Sequence, residues 1–201
     1  ISNSHLLYKS AILTTRNDTV DQLNEKILGK MPGMAQDLFS ADTVESSRSD
    51  GDQLFQVSDE YLQTLNPSNF PPARLTLKMG CIVMLLRNID PKAGLCNGTR
   101  LIVKEIGRFV LKVAVLKNDT SSAEQIELIP GITLSTLEHE YPFTLQRTQF
   151  PVKLSFAMTI NKSQGQSLQN VGIDLRYPAF THGQLYVALS RSTNVENIYI
   201  L

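Results

Sequence analysis

At 201 residues, 42% of them hydrophobic and 19% charged, the chain has room for one large domain or one domain carrying an insertion, in ordinary globular proportions. A formal net charge of zero argues against a general nucleic-acid binder held by a basic excess, and no apolar run approaches the roughly 20 residues of a membrane helix. The chain begins at Ile1 without a signal peptide, so it reads as part of a longer protein.

Ala11-Ile12-Leu13-Thr14 reads as a short buried strand. Asn17, Asp18 and Thr19 then offer helix N-caps, Val20, Leu23, Ile27 and Leu28 recur at helical spacing, and Gly29 is a natural stop, making a β-α unit. From about Lys30 to Asn69 the sequence is polar, acidic and weakly periodic. Ser46-Ser47-Arg48-Ser49-Asp50-Gly51-Asp52 is its most loop-like piece, Ser58 to Leu65 is a short helix, and Phe70-Pro71-Pro72 closes it as an extended linker. Strand periodicity follows over Leu75–Leu77, Ile82–Arg87, Arg100–Ile106, Phe109–Leu116, Ile126–Ile129 and Thr144–Arg147, with turns at Asp90–Gly94, Asn97-Gly98 and Gly107-Arg108. Several short strands in one stretch predict a small, partly closed barrel. From Pro151 the pattern returns to α/β: a strand over Val152–Ala157, a loop over Asn161–Gln166, a strand over Val171–Leu175, a helix N-capped by Thr181 and running to about Ser190, and a last strand over Ile198–Leu201. Strand, helix, strand requires a parallel crossover. The expected organisation is therefore an α/β domain in two pieces, residues 1–74 and 148–201, interrupted by a β unit over 75–147.

Cys81 and Cys96 match no metal spacing and read as reduced core thiols; His5, His139 and His182 form no ligand pattern, so no metal site is expected. Asn17-Asp18-Thr19, Asn97-Gly98-Thr99, Asn118-Asp119-Thr120 and Asn161-Lys162-Ser163 match the glycosylation pattern by chance in a chain without a signal peptide. Charge is uneven. Asp37, Asp42, Glu45, Asp50, Asp52, Asp59 and Glu60 face Arg48 alone, whereas Arg147, Lys153, Lys162, Arg176 and Arg191 outweigh Asp174 and Glu196, leaving a basic C-terminal third able to hold phosphate.

Chemistry concentrates in Phe156-Ala157-Met158-Thr159-Ile160-Asn161-Lys162-Ser163-Gln164-Gly165-Gln166 and in Gln184-Leu185-Tyr186-Val187-Ala188-Leu189-Ser190-Arg191. A loop leaving the C-terminal end of a parallel strand projects backbone N–H groups and short polar side chains into the crevice where α/β proteins handle phosphates. Thr159, Asn161 and Ser163 can donate to phosphate oxygens, Lys162 adds charge, and Gly165 permits close approach or a positive φ. Taken alone, the same residues also suit an ordinary polar βα loop. Arg191, ending its helix, is either a partner for the last carbonyls or an arginine finger reaching the γ-phosphate of ATP, an effect of about 10³–10⁵ in rate. Arg16, at the end of the first strand, is either a surface arginine or a second cation in that crevice. No G-x-x-x-x-G-K-[ST] and no acidic strand end suited to Mg²⁺ occurs, so the chain alone is not expected to hydrolyse ATP.

These segments resemble the C-terminal half of the Pif-one (petite integration frequency) DNA helicases of superfamily 1B, relatives of RecD with close counterparts in Helitron-type elements. Ala11–Asn17 through Asn24 is similar to motif IV, Gln149–Leu168 to motif V and His182–Arg191 to motif VI; Leu75–Gly80, Val83–Asp90 and Gly94–Arg100 resemble the entry into the family's inserted barrel. The resemblance implies an α/β fold: a second RecA-like (P-loop NTPase-like) domain, 2A, with an inserted small SH3-like β-barrel, 2B. It implies the C-terminal motor half of a 5′-to-3′ ATP-dependent DNA helicase, working in DNA repair, recombination or telomere maintenance. ATP and Mg²⁺ would be cofactors of the whole protein, with none held by this chain alone. Carried over by position, Thr159, Asn161, Lys162 and Ser163 would touch single-stranded DNA, Gly165 and Gln166 would bind nucleotide, and Arg191 and Arg16 would be catalytic cations. Asn161 stands where many relatives have His, so its contact would run through an amide. The implied partners are single-stranded DNA and an N-terminal RecA-like domain, with no membrane, in a monomer located in the nucleus or mitochondrion of a eukaryote. The rival readings are a non-catalytic DNA- or partner-binding module and a relic domain of a Helitron-like transposable element.

Overall fold

The computed structural model describes residues 8–45, 57–67, 69–116, 124–137, 141–178 and 181–201. The Ser46–Asp52 loop, the Asn118-Asp119-Thr120 sequence, His5 and His139 lie outside them.

β1 (Ser10–Thr14) alternates in the way a strand covered unequally on its two faces must, with Ala11 and Leu13 buried in one core. α1 (Asn17–Lys30) follows and buries Thr19, Val20, Asn24 and Leu28, a stripe at helical spacing. Its start and stop differ from expectation. Arg16 occupies the N-cap, while the Asp18 carboxylate accepts from the Thr19 backbone N–H (2.8 Å) inside the first turn; Gly29 is passed without a break, and the helix ends at Lys30.

The acidic stretch is not irregular throughout. β2 (Gln36–Phe39) pairs antiparallel with β4 (Arg74–Leu77), and β3 (Ala41–Glu45) pairs antiparallel with β10 (Thr144–Gln149). Between them in the chain lies α2 (Asp59–Thr64), where the Ser58 hydroxyl accepts from the Tyr61 N–H. These strands escape the sequence pattern because distant cations answer their acids. Asp37 accepts from Arg74 (2.8 Å) and Thr76 (2.6 Å) across β4. Asp42 receives the fully buried Arg147 guanidinium from β10.

β5 (Ile82–Leu85), β6 (Arg100–Ile106), β7 (Val110–Val115) and β8 (Ile126–Pro130) form an antiparallel sheet that β11 (Val152–Leu154) completes, in the order β11-β5-β6-β7-β8. This sheet is open, with β11 and β8 as its edges among the described residues, rather than partly closed; β9 (Ile132–Ser135) and β10 leave it to form a separate sheet with β3. Leu75, Leu77, Leu101, Val103, Leu111, Val113 and Ile129 fill its core.

The strand expected over Val152–Ala157 is two strands. Val152–Leu154 pairs with β5, and β12 (Ala157–Thr159) pairs in parallel with β1. Asn24 explains the break. Its buried amide donates to the Leu154 and Ala157 carbonyls and accepts from the Ala157 N–H (2.8 Å), satisfying the backbone where the chain changes sheets. The second sheet is wholly parallel, in the order β12-β1-β13-β14, with β13 at Asn170–Asp174 and β14 at Ile198–Ile200. Thr14 pairs with Thr159 on one side and Asp174 on the other, so three strands end at one level.

Candidate functional site

The chain leaves β12 at that level and turns at once. Ile160–Ser163 is a single 3-10 turn in which the Ser163 hydroxyl donates to the Ile160 carbonyl (2.7 Å). Ile160 is fully buried and anchors the turn; Asn161 and Lys162 face solvent, and Thr159 is half-buried. Ser163 differs from its expected role: it is fully buried and its hydroxyl is spent inward, so it shapes the turn instead of offering a donor outward. Gly165 sits at φ +76° with open space around its missing Cβ, so the backbone angle and not crowding calls for glycine. Gln166 donates its side-chain amide to the Gly98 carbonyl (3.2 Å) and to the Lys162 carbonyl (3.3 Å), linking the loop to the antiparallel sheet's Asn97-Gly98 turn.

α3 (Gln184–Leu189) is shorter than the helix expected from Thr181. Gly183, at φ +84°, holds the N-cap, and Thr181 lies outside. Arg191 follows. Its Nε donates to the Val187 carbonyl (2.9 Å), its Nη1 to the carbonyls of Ser163 (3.2 Å) and Gln166 (3.1 Å), and its Nη2 to the Ser190 hydroxyl (2.9 Å). Four of the five guanidinium N–H groups are thus engaged, three of them by carbonyls of the helix end and the loop. The structure brings Arg191, Ser163 and Gln166 into one hydrogen-bonded unit. Sequence reasoning gave Gln184 no role, yet its amide faces the Asn161 side chain (3.4 Å) from the helix start.

Arg16 sits apart from this unit and shares no hydrogen-bond partner with Arg191 among the described residues. Its guanidinium pairs with Asp18 (2.9 Å) and lies 4.7 Å from the centre of the Tyr177 ring. Tyr177 carried no sequence signal, because its partner is 161 positions away.

The basic excess of the C-terminal third shrinks once partners are assigned. Arg147 is buried on Asp42, and Arg176 is bound to Asp174, whose carboxyl it holds below the usual range. Burial pulls the Lys153 ammonium down, with Asp21 opposing and Lys162 adding repulsion. Lys162 remains, exposed, with Asn69 its hydrogen-bond partner at 3.4 Å. Among the described residues no group of His, Cys, Asp or Glu could hold a metal ion. Asp174, the carboxylate at the strand ends, spends both oxygens on Arg176, so this edge supplies cations, amides and carbonyls but no set of ligands for Mg²⁺. No helix of the described residues is long and apolar enough to cross a membrane.

Residues 60–106 match the family described as DNA helicase Pif1, 2B domain. Over 211 aligned residues, covering the whole chain, the sequence is 30% identical to the ATP-dependent DNA helicase PIF1 of Xenopus laevis. The chain is related to the Pif1 helicases throughout its length. It spans 29% of that relative. A crystal structure of Pif1 helicase from Candida albicans matches 96% of the chain with a TM-score of 0.74 at 24% identity, the chain covering 44% of it. A Bacteroides Pif1 crystal structure, bound to single-stranded DNA, matches 95% of the chain with a TM-score of 0.67 at 25% identity, the chain covering 40% of it. The Pif1 helicase fold, a RecA-like unit with a 2B domain, is the architecture this mixed α/β chain shares.

Proposed function

We propose that this chain is the C-terminal motor part of a 5′-to-3′ ATP-dependent DNA helicase. Residues 1–74 and 148–201 would carry the second RecA-like domain and 75–147 the inserted, SH3-like 2B unit, whose sheet β11 joins from beyond that boundary. ATP would sit on an N-terminal RecA-like domain, which would also supply the Mg²⁺ ligands this edge lacks. The names of the Pif1 relatives and the single-stranded DNA in a related structure support the reading. The observation that carries it is the Arg191 guanidinium holding the Ser163 and Gln166 carbonyls.

That arrangement joins two tasks. Thr159, Asn161 and Lys162 stand on the outer side of the turn, where polar donors would position a DNA backbone without reading sequence. Ser163 shapes the turn beneath them. Gly165 and Gln166 would face the nucleotide, and the Nη2–H of Arg191 that has no partner among the described residues would meet negative charge developing on a γ-phosphate. A cation drawn towards phosphate pulls on the carbonyls it holds, so nucleotide state reaches the DNA-contacting turn through one side chain.

Arg191→Ala and Arg191→Lys in the whole helicase test this. Both are expected to lower single-stranded-DNA-stimulated kcat by about 10³ or more, with ATP affinity changed by only a few fold, because the charge matters most in the transition state. A staple with no chemical role would instead give normal kcat and a stability loss near 1 kcal/mol, roughly that of a helix-end cation. That outcome would remove the finger assignment.

A further inference from the structure

The segment that follows β13 has no part in the proposal above, yet it is built rather than loose. The Asp174 side chain is buried at the strand end and accepts from the Arg176 backbone N–H (3.1 Å), from Arg176 Nε (3.0 and 3.1 Å) and from Arg176 Nη2 (2.6 Å). The turn is thereby fixed at its start. One residue on, the Tyr177 carbonyl accepts from the Thr15 hydroxyl at the end of β1 (3.3 Å). Fixed at both points, the chain holds the Tyr177 ring 4.7 Å from the Arg16 guanidinium carbon. Asp18 takes the same guanidinium by Nε (3.1 Å) and Nη2 (2.9 Å).

An exposed arginine ordinarily samples many rotamers, and an exposed ion pair alone restrains it weakly. A ring face restrains it differently, by occupying the π surface of the guanidinium and none of its donors. Asp18 engages one edge, and among the described residues both Nη1–H groups and one Nη2–H have no hydrogen-bond partner. We propose that Tyr177 is a positioning residue for Arg16, presenting that free edge of its guanidinium to the nucleotide phosphates. The proposal rests on the reading of Arg16 as a cation of the ATP cleft. A pre-oriented cation loses less freedom when charge develops, so the benefit falls on the chemical step.

The test is ATP turnover of the whole helicase with single-stranded DNA, in four variants: Tyr177→Leu, Tyr177→Phe, Arg16→Ala and the Arg16→Ala/Tyr177→Leu double. Tyr177→Leu is expected to lower kcat about twofold to fivefold, the scale of one exposed cation–π contact, with the KM for ATP unchanged. Tyr177→Phe, which keeps the ring, is expected to rescue that loss. Arg16→Ala is expected to lose more, and the double variant no more than Arg16→Ala. Normal kcat in Tyr177→Leu beside a crippled Arg16→Ala would overturn the role of Tyr177 alone. Additive losses in the double variant would do the same, since the ring would then act on something other than Arg16. Normal kcat in Arg16→Ala would overturn the reading of Arg16 and this inference with it. Unchanged DNA affinity confirms that each variant is folded.

Discussion

Cys81 shows how a residue's surroundings decide its chemistry. It is fully buried between the strands of the antiparallel sheet, and burial pushes its thiol up to about 11, with backbone hydrogen bonds opposing. The folded state holds the proton more tightly than the unfolded chain, so the contribution to stability is complete below the unfolded thiol's pKa of about 8.5 and is lost as pH rises towards 11. Urea unfolding between pH 8 and 11 is expected to show a falling limb of about 2–3 kcal/mol that Cys81→Ala flattens. An unchanged limb in the variant would assign the loss to other groups. Cys96, only half-buried, is the thiol expected to react first with a thiol reagent.

Among the elements, the paired edge strands β2 and β3 depend most on partners far along the chain. Arg147 donates to Asp42 by Nε and Nη2, the shortest contact being 2.7 Å, and its remaining donors reach the carbonyls of Leu62 (2.9 Å), Leu65 (3.0 Å) and Pro71 (3.3 Å). One side chain thus ties β3, the end of α2 and the linker to β10. Removing it leaves a buried carboxylate and three carbonyls without their donor, so Arg147→Leu is expected to cost about 3–5 kcal/mol in urea unfolding. A loss under about 1 kcal/mol would mean that water replaces the guanidinium freely. The same pair marks where sequence reading stops. The alternation of β7, the continuous apolar run Leu101-Ile102-Val103 of β6, and the helix stripe of Val20, Leu23, Ile27 and Leu28 announce themselves in the sequence. β3, reading Ala-Asp-Thr-Val-Glu, does not, because its pairing energy comes from Arg147, 105 positions away from Asp42. The loop from Thr159 to Gln166 was legible as a site because its polar residues follow an apolar strand directly. The inward turn of Ser163 was not, since a hydroxyl's direction depends on the 3-10 geometry that follows it. The partnership of Arg16 with Tyr177 was hidden for the same reason as β3.

Over the whole molecule, the two sheets meet at Arg100, the first residue of β6. Its buried guanidinium donates to the carbonyls of Ser10 (2.9 Å), Ser155 (3.1 Å) and Tyr8 (3.5 Å): the first residue of β1, the link between β11 and β12, and the approach to β1. Burial draws its pKa down to about 10, which leaves it charged at neutral pH. Met84 reaches from β5 into the parallel sheet's core, and Gln166 holds Gly98 from the other side. Arg100→Met is expected to speed amide exchange in β1 and β12 while leaving β7 and β8 protected, because two or more carbonyls lose their donor at the junction alone. Unaltered exchange in β1 would show that the guanidinium carries no load there. Three ties thus join the antiparallel sheet to the parallel one at a single end. β6 runs from Arg100 at this junction to the hairpin at Gly107–Phe109, where Arg108 lies over an exposed Phe109 ring. Seven residues of strand make an arm of about 20 Å. A rotation of about 10° carried rigidly along β6 from this junction would sweep that tip by about 3–4 Å.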